Sequence, residues 1–151
     1  YVTLAGRTVY GGGGITPDSI LTGGQITRFT YNLRRKRLFF EFGSTYGPEL
    51  EEQFDGFEAF NTQFSIDERN IEQLKALMKK HDIEFNSEAF EKDEDYIKLL
   101  MKAEVARHLW DSEHYYRIRV TGDDEVETAL NAMPLAREIK QLHSWQGSDS
   151  Q

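Results

Sequence analysis

From Gln25 onward apolar residues recur every three or four positions, and before Gln25 they follow a different rhythm. In the first ten residues, Val2 and Thr3 precede the turn-compatible Ala5-Gly6, and Arg7 to Tyr10 brings back β-branched and aromatic side chains. That pattern predicts a β-hairpin. Gly11 to Gly14 then remove every Cβ over about 13 Å of extended chain. The run reads as a bulged or edge segment lying against another backbone. Ser19 to Leu21 reads as a short added strand, closed by Thr22-Gly23-Gly24.

The spacing of Ile26, Phe29 and Leu33 predicts a helix over 25–37. Leu38 to Phe42 is too apolar to face water; it either finishes that helix or forms a second short one ending at Gly43. Phe54, Phe57, Phe60 and Phe64 form a helical stripe or a loop pinned by aromatics, a pattern that belongs to cores more often than to ligand cages. Ser65 and Glu68 have capping-box spacing ahead of a helix to about Lys80, which buries Ile71, Leu74 and Met78. Ser87 is placed to cap a longer helix running towards Trp110, with Tyr96, Ile97, Leu100, Met101, Val105 and Leu109 inside and Lys98 and Lys102 outside. Tyr115 to Val120 alternates in places and stays open between strand and helix. Gly122 to Glu125 opens a further helix whose buried side is Val126, Ala129, Leu130 and Met133. Pro134 stops or kinks it before a last amphipathic stretch at Leu135, Ile139 and Leu142. The predicted class is α+β and mostly helical: an N-terminal β-hairpin segment, then a bundle of amphipathic helices.

Composition narrows the chemistry. With no cysteine, disulfides, thiol catalysis and thiolate metal sites are excluded. No run approaches 18 apolar residues, so no membrane span is expected. The net charge of −8 is uneven: residues 1–40 hold six basic side chains against Asp18, a net +5, which leaves −13 for the remainder. The cluster Arg34 to Arg37 is read as a solvated helix face or a patch pairing with that acidic remainder, not as a nucleic-acid site.

The glycine run does not fit a phosphate cradle: no Lys-Ser or Lys-Thr follows it, and Pro17-Asp18 stands where a cradling helix would begin. Glu104 and His108, four apart on a predicted helix, could both reach one metal ion, with Asp111, Glu113 and His114 close behind. Two ligands do not make a site, and a solvated or salt-bridged face is the expected reading, with no metal or cofactor. Ser44 and Ser65 read as a turn residue and a helix cap, and the pairs Glu51-Glu52 and Asp123-Asp124 as solvated acids.

The stretch Ala5-Gly6-Arg7-Thr8-Val9-Tyr10, Gly11 to Gly14 and Ile15-Thr16-Pro17-Asp18 resembles the segment that closes the protease domain of the C-terminal processing (tail-specific) serine peptidases. Arg37 to Phe42 and His114 to Asp124 resemble the downstream region of bacterial members with a long helical tail, which favours helix at 115–120. The resemblance implies that residues 1–24 are the terminal β-segment of a peptidase domain and 25–151 its helical tail. It implies that the catalytic serine, its lysine base and the PDZ domain lie upstream of Tyr1, so no catalytic residue is expected in this chain. The partners implied are those upstream domains and the parent's protein or peptide substrates, with a homo-oligomer as a further possibility. The compartment implied is the periplasm or cell envelope. A free-standing protein–protein interaction module is the alternative.

Overall fold

Thr27 starts the first helix. Its Oγ1 accepts a hydrogen bond from the Thr30 N–H at 3.2 Å, so α1 (Arg28–Arg35) begins three residues later than the apolar spacing alone suggested. The computed structural model describes residues 24–145, with side chains as far as residue 138. Arg37 then adopts the left-handed conformation, φ 59°, which breaks the helix and re-aims the chain. Leu38 to Phe42 therefore belongs to a second helix, α2 (Leu38–Tyr46), and Gly43 does not end it. A 3-10 segment (Gly47–Gln53) leads to α3 (Gly56–Gln63), α4 (Glu68–Lys80), α5 (Ser87–Lys92), α6 (Glu94–Leu109), α7 (Ser112–Val120) and α8 (Asp124–Trp145).

Every regular element among the described residues is a helix and none is a strand, which corrects the expected α+β class to a helical bundle. The expected hairpin, glycine bulge and extra strand fall in residues 1–23, outside the described residues. Tyr115 to Val120 is helical. The single helix expected after Ser87 is two, divided at Asp93, whose side chain caps neither; Asn86, not Ser87, caps the first. The cap ahead of α4 is Asp67, which accepts from the Asn70 N–H while the Asn70 side chain accepts from the Asp67 N–H.

The core is built around α6. Ile97, Leu100, Met101, Ala103, Val105 and Ala106 are all buried, so this helix is apolar on most of its circumference and is covered on several sides. From α2 come Leu38, Phe39 and Phe42, from α4 Leu74, Leu77 and Met78, and from α7 Ile118. Burying each such side chain stabilises the fold by about 1.5–3 kcal/mol. The phenylalanine stripe is core, not a cage. Phe60 stacks on Phe64 with centroids 4.8 Å apart, and Phe54 meets both edge-on. Phe57 and Phe60 each meet Trp110 at the end of α6.

Two further expectations are corrected. Lys102 is not outside: its Nζ donates to the carbonyl oxygens of Asn61 at 2.7 Å and Phe64 at 2.8 Å, closing the end of α3. Burial pushes the Lys102 ammonium below the ordinary lysine range. Pro134 does not stop α8, which runs through it, and the side supposed to be buried is open. Leu130 is 65% exposed, Met133 49% and Leu135 58%.

Candidate functional site

A groove of about 990 Å³ opens where α1, the α5–α6 junction and the α7–α8 turn meet, beside Gly24 to Ile26. Its wall is fixed by Asp93. Burial works against this carboxylate, but the Thr27 N–H at 2.8 Å and the Thr27 hydroxyl at 2.6 Å donate to it and hold its pKa below the usual range. This interaction ties the chain just ahead of α1 to the start of α6, and it explains why the Asp93 side chain caps neither helix.

In the groove's lining two guanidinium groups stand over the Tyr96 ring, Arg119 at 5.2 Å and Arg34 at 5.9 Å from its centroid. Arg119 Nη1 is buried and has no hydrogen-bond partner among the described residues, an unused donor of the kind that folded proteins seldom leave. Asp95, Asp124 and Glu125 line the same groove. Aromatic face, buried cationic donor and acidic rim suit a polar peptide backbone with side chains of mixed charge. Neither the Tyr96 nor the Arg119 position was legible in the periodicity, which assigned Tyr96 to an apolar face and left 115–120 unassigned. Arginines at 34 and 119, 85 positions apart, converge only through packing.

Glu104 and His108 do share a face of α6, against α2, but they serve packing. Burial raises the Glu104 pKa, opposed by Arg107 and His108. Arg107 Nε stands 2.9 Å from Glu104 Oε2 without completing a hydrogen bond, and its guanidinium lies 3.8 Å from the Tyr115 ring centroid. His108 meets Phe40 edge-on at 4.7 Å. Asp111 is spent elsewhere, as the cap of α7: its Oδ1 accepts from the His114 N–H at 3.0 Å and contacts His114 Nδ1 at 2.7 Å. Those hydrogen bonds from His114 lower the Asp111 pKa. No group of three or more potential ligands converges among the described residues.

The serines have local roles. Ser44 Oγ donates to the Glu41 carbonyl at 3.0 Å, and Ser65 is exposed ahead of the true cap. Glu51 and Glu52 are exposed, while Asp123 Oδ1 accepts from the Glu125 and Val126 N–H groups and caps α8. In the basic cluster, Lys36 Nζ donates to the His81 carbonyl at 3.2 Å and Arg37 covers the Phe40 ring at 4.5 Å. Beside it, Glu41 receives Lys80 at 2.8 Å and His81 at 2.6 Å, which together lower its pKa and pin α2 to the end of α4. No described helix is long and apolar enough to cross a membrane.

Among known proteins, no curated protein and no solved structure matches the chain. One family model does, across residues 29–111, which is α1 to the cap of α7 and more than half of the chain. The chain therefore belongs to that family, described as a family of unknown function (DUF8443).

Proposed function

We propose that this chain is the non-catalytic C-terminal region of a C-terminal processing serine peptidase of the periplasm or cell envelope, and that its helical body receives the polypeptide the parent enzyme trims. The observation that carries this reading is the position of the Tyr96–Arg119 groove. It is lined by Gly24 to Ile26, which begin six residues after the segment from Ala5 to Asp18 that resembles the close of a peptidase domain. A chain held there lies at the junction of tail and peptidase domain, where it can be steered or delayed. The Ser/Lys dyad belongs to the upstream part of the parent.

The test is cleavage of an unstructured peptide with an apolar C-terminus, followed by mass spectrometry. The 151-residue chain is compared with a form extended upstream through the peptidase domain, and with the extended form carrying Tyr96→Ala and Arg119→Ala. Cleavage by the extended form alone, with KM raised at least about threefold in the double variant, supports the reading; a loss of this size is about 0.7 kcal/mol of binding. An extended form that lacks a serine–lysine pair, or does not cut, refutes it. The second reading, a free-standing interaction module, is favoured by the apolar side chains exposed on α8.

A further inference from the structure

α8 has 22 residues, about 33 Å of helix, and from Glu127 to Glu138 every residue is exposed. A helix of this length containing a proline is marginal in water on its own. Three of its four large described apolar residues share one face, and Leu135 lies on the opposite one. Val126, Leu130 and Met133 are spaced by four and three, and Arg137 continues the same line. At 100° per residue these four positions fall within about 60° of one another. The stripe is flanked by Ala129 and Ala136, small enough for another backbone to approach.

The charges along α8 are also graded, with Glu138 the one acid at the basic end. Asp123, Asp124, Glu125 and Glu127 stand at its N-terminal end, and Arg137 stands on the stripe towards the other, with Lys140 beyond it in the sequence. We infer that α8 pairs antiparallel with the α8 of a second copy of this chain. A two-fold axis between Asn131 and Ala132 sets Leu130 opposite the partner's Met133, and Val126 opposite the partner's Arg137. That arginine then enters the gap between Asp123 and Glu127, twice over by symmetry. A parallel pair in register would set the four acids against the same four acids. The pairing follows from α8 alone and does not depend on the peptidase reading.

Sedimentation equilibrium of the 151-residue chain from about 1 to 200 μM tests it. A dimer is expected. Leu130→Glu with Met133→Glu should weaken it by at least about 100-fold while the helical circular dichroism of the body is kept, because neither side chain is part of the core. Arg137→Glu should weaken it by about tenfold or more, and adding Glu127→Arg should restore it. The chain has no cysteine, so orientation can be read directly. A mixture of Leu130→Cys and Met133→Cys chains should form the mixed disulfide in preference to either self-disulfide. A monomer throughout the range, a dimer that survives the double glutamate variant, or preferred self-disulfides each overturn the inference.

Discussion

Gly43 is where the bundle is tightest, and replacing it with alanine sets two effects of known size against each other. A Cβ built there would stand 2.6 Å from the Glu104 carbonyl oxygen, 2.7 Å from its carbonyl carbon and 2.8 Å from His108 Cδ2. Gly43 has an ordinary helical conformation inside α2, so propensity alone favours alanine by about 1 kcal/mol. Against this stands overpacking, about 1–3 kcal/mol and occasionally more. The obstructing atoms decide the sign. A side chain could rotate away, but the Glu104 carbonyl is part of α6, the helix around which the core is built. Relief requires α2 to lift off α6, which loosens Leu38, Phe39 and Phe42 together.

Gly43→Ala should therefore destabilise the chain by a net of roughly 1–3 kcal/mol, measured by urea unfolding, at an unchanged slope. Gly47→Ala is the internal control. Its nearest neighbour would be His108 Cβ at 3.7 Å, an ordinary contact, and Gly47 has φ −57°, so alanine should be neutral or stabilise by about 0.4–1 kcal/mol. Equal effects at the two positions, or a more stable Gly43→Ala chain, would refute the argument that close backbone approach, not propensity, governs this crossing.

Other perturbations follow from single contacts. Phe60→Ala removes a fully buried ring that meets Phe54, Phe64 and Trp110, and should cost about 3–5 kcal/mol in the same unfolding assay. Lys102→Met keeps the apolar stem but strands the Asn61 and Phe64 carbonyls; a loss of about 1–3 kcal/mol is expected, with faster amide exchange at the end of α3. The folded pKa of Asp93 is depressed, so its contribution is present above the unfolded value of about 3.8 and is lost as pH falls through the lower folded value. Asp93→Asn should accordingly show less loss of stability than the parent chain between about pH 4 and pH 2, while being less stable near pH 7.

What the sequence revealed depended on whether a residue's role was set by its neighbours along the chain. Leu74 and Met78 in α4, and Ile97, Leu100, Met101 and Val105 in α6, are legible because three-and-four spacing puts them on surfaces that any packing partner would cover. Asp93 was opaque for the opposite reason. Read locally it is one acid among several, and only Thr27, 66 residues away, gives its carboxylate a purpose and divides the expected long helix. Lys102 has the spacing of a solvated face, yet the end of α3 arrives above it with two free carbonyls. Ser65 and Asp67 are both acceptable caps, and the two-residue difference turns on Asn70 returning the bond. The candidate groove shares this limit, since Arg34, Tyr96 and Arg119 lie on three helices.

The same distinction separates residues that build the fold from those that have work left to do. In the body, unusual features find an internal explanation: Gly43 admits α6, Lys102 closes α3, and Asp111 caps α7. Others do not, two of them at the α7–α8 end. Arg119 Nη1 is buried without an acceptor among the described residues, and α8 carries Leu130 and Met133 into water in line with Arg137. They flank the turn at Thr121 to Asp123, since α7 ends with Arg119 and Val120 just before it and α8 begins just after it. Gly122 holds that turn against α6: a Cβ there would stand 2.6 Å from Leu99 Cδ2, the end of a side chain that also lines the groove. Anything that draws on α8 therefore acts on the turn that seats Leu99 and Arg119. Gly122→Ala should test that connection, since pushing Leu99 aside alters the groove directly and shifts the base of α8 without touching its stripe. If affinity in the proposed dimer and peptide KM in the proposed extended enzyme both change, groove and helix share one mechanical element; if only one changes, they are independent surfaces.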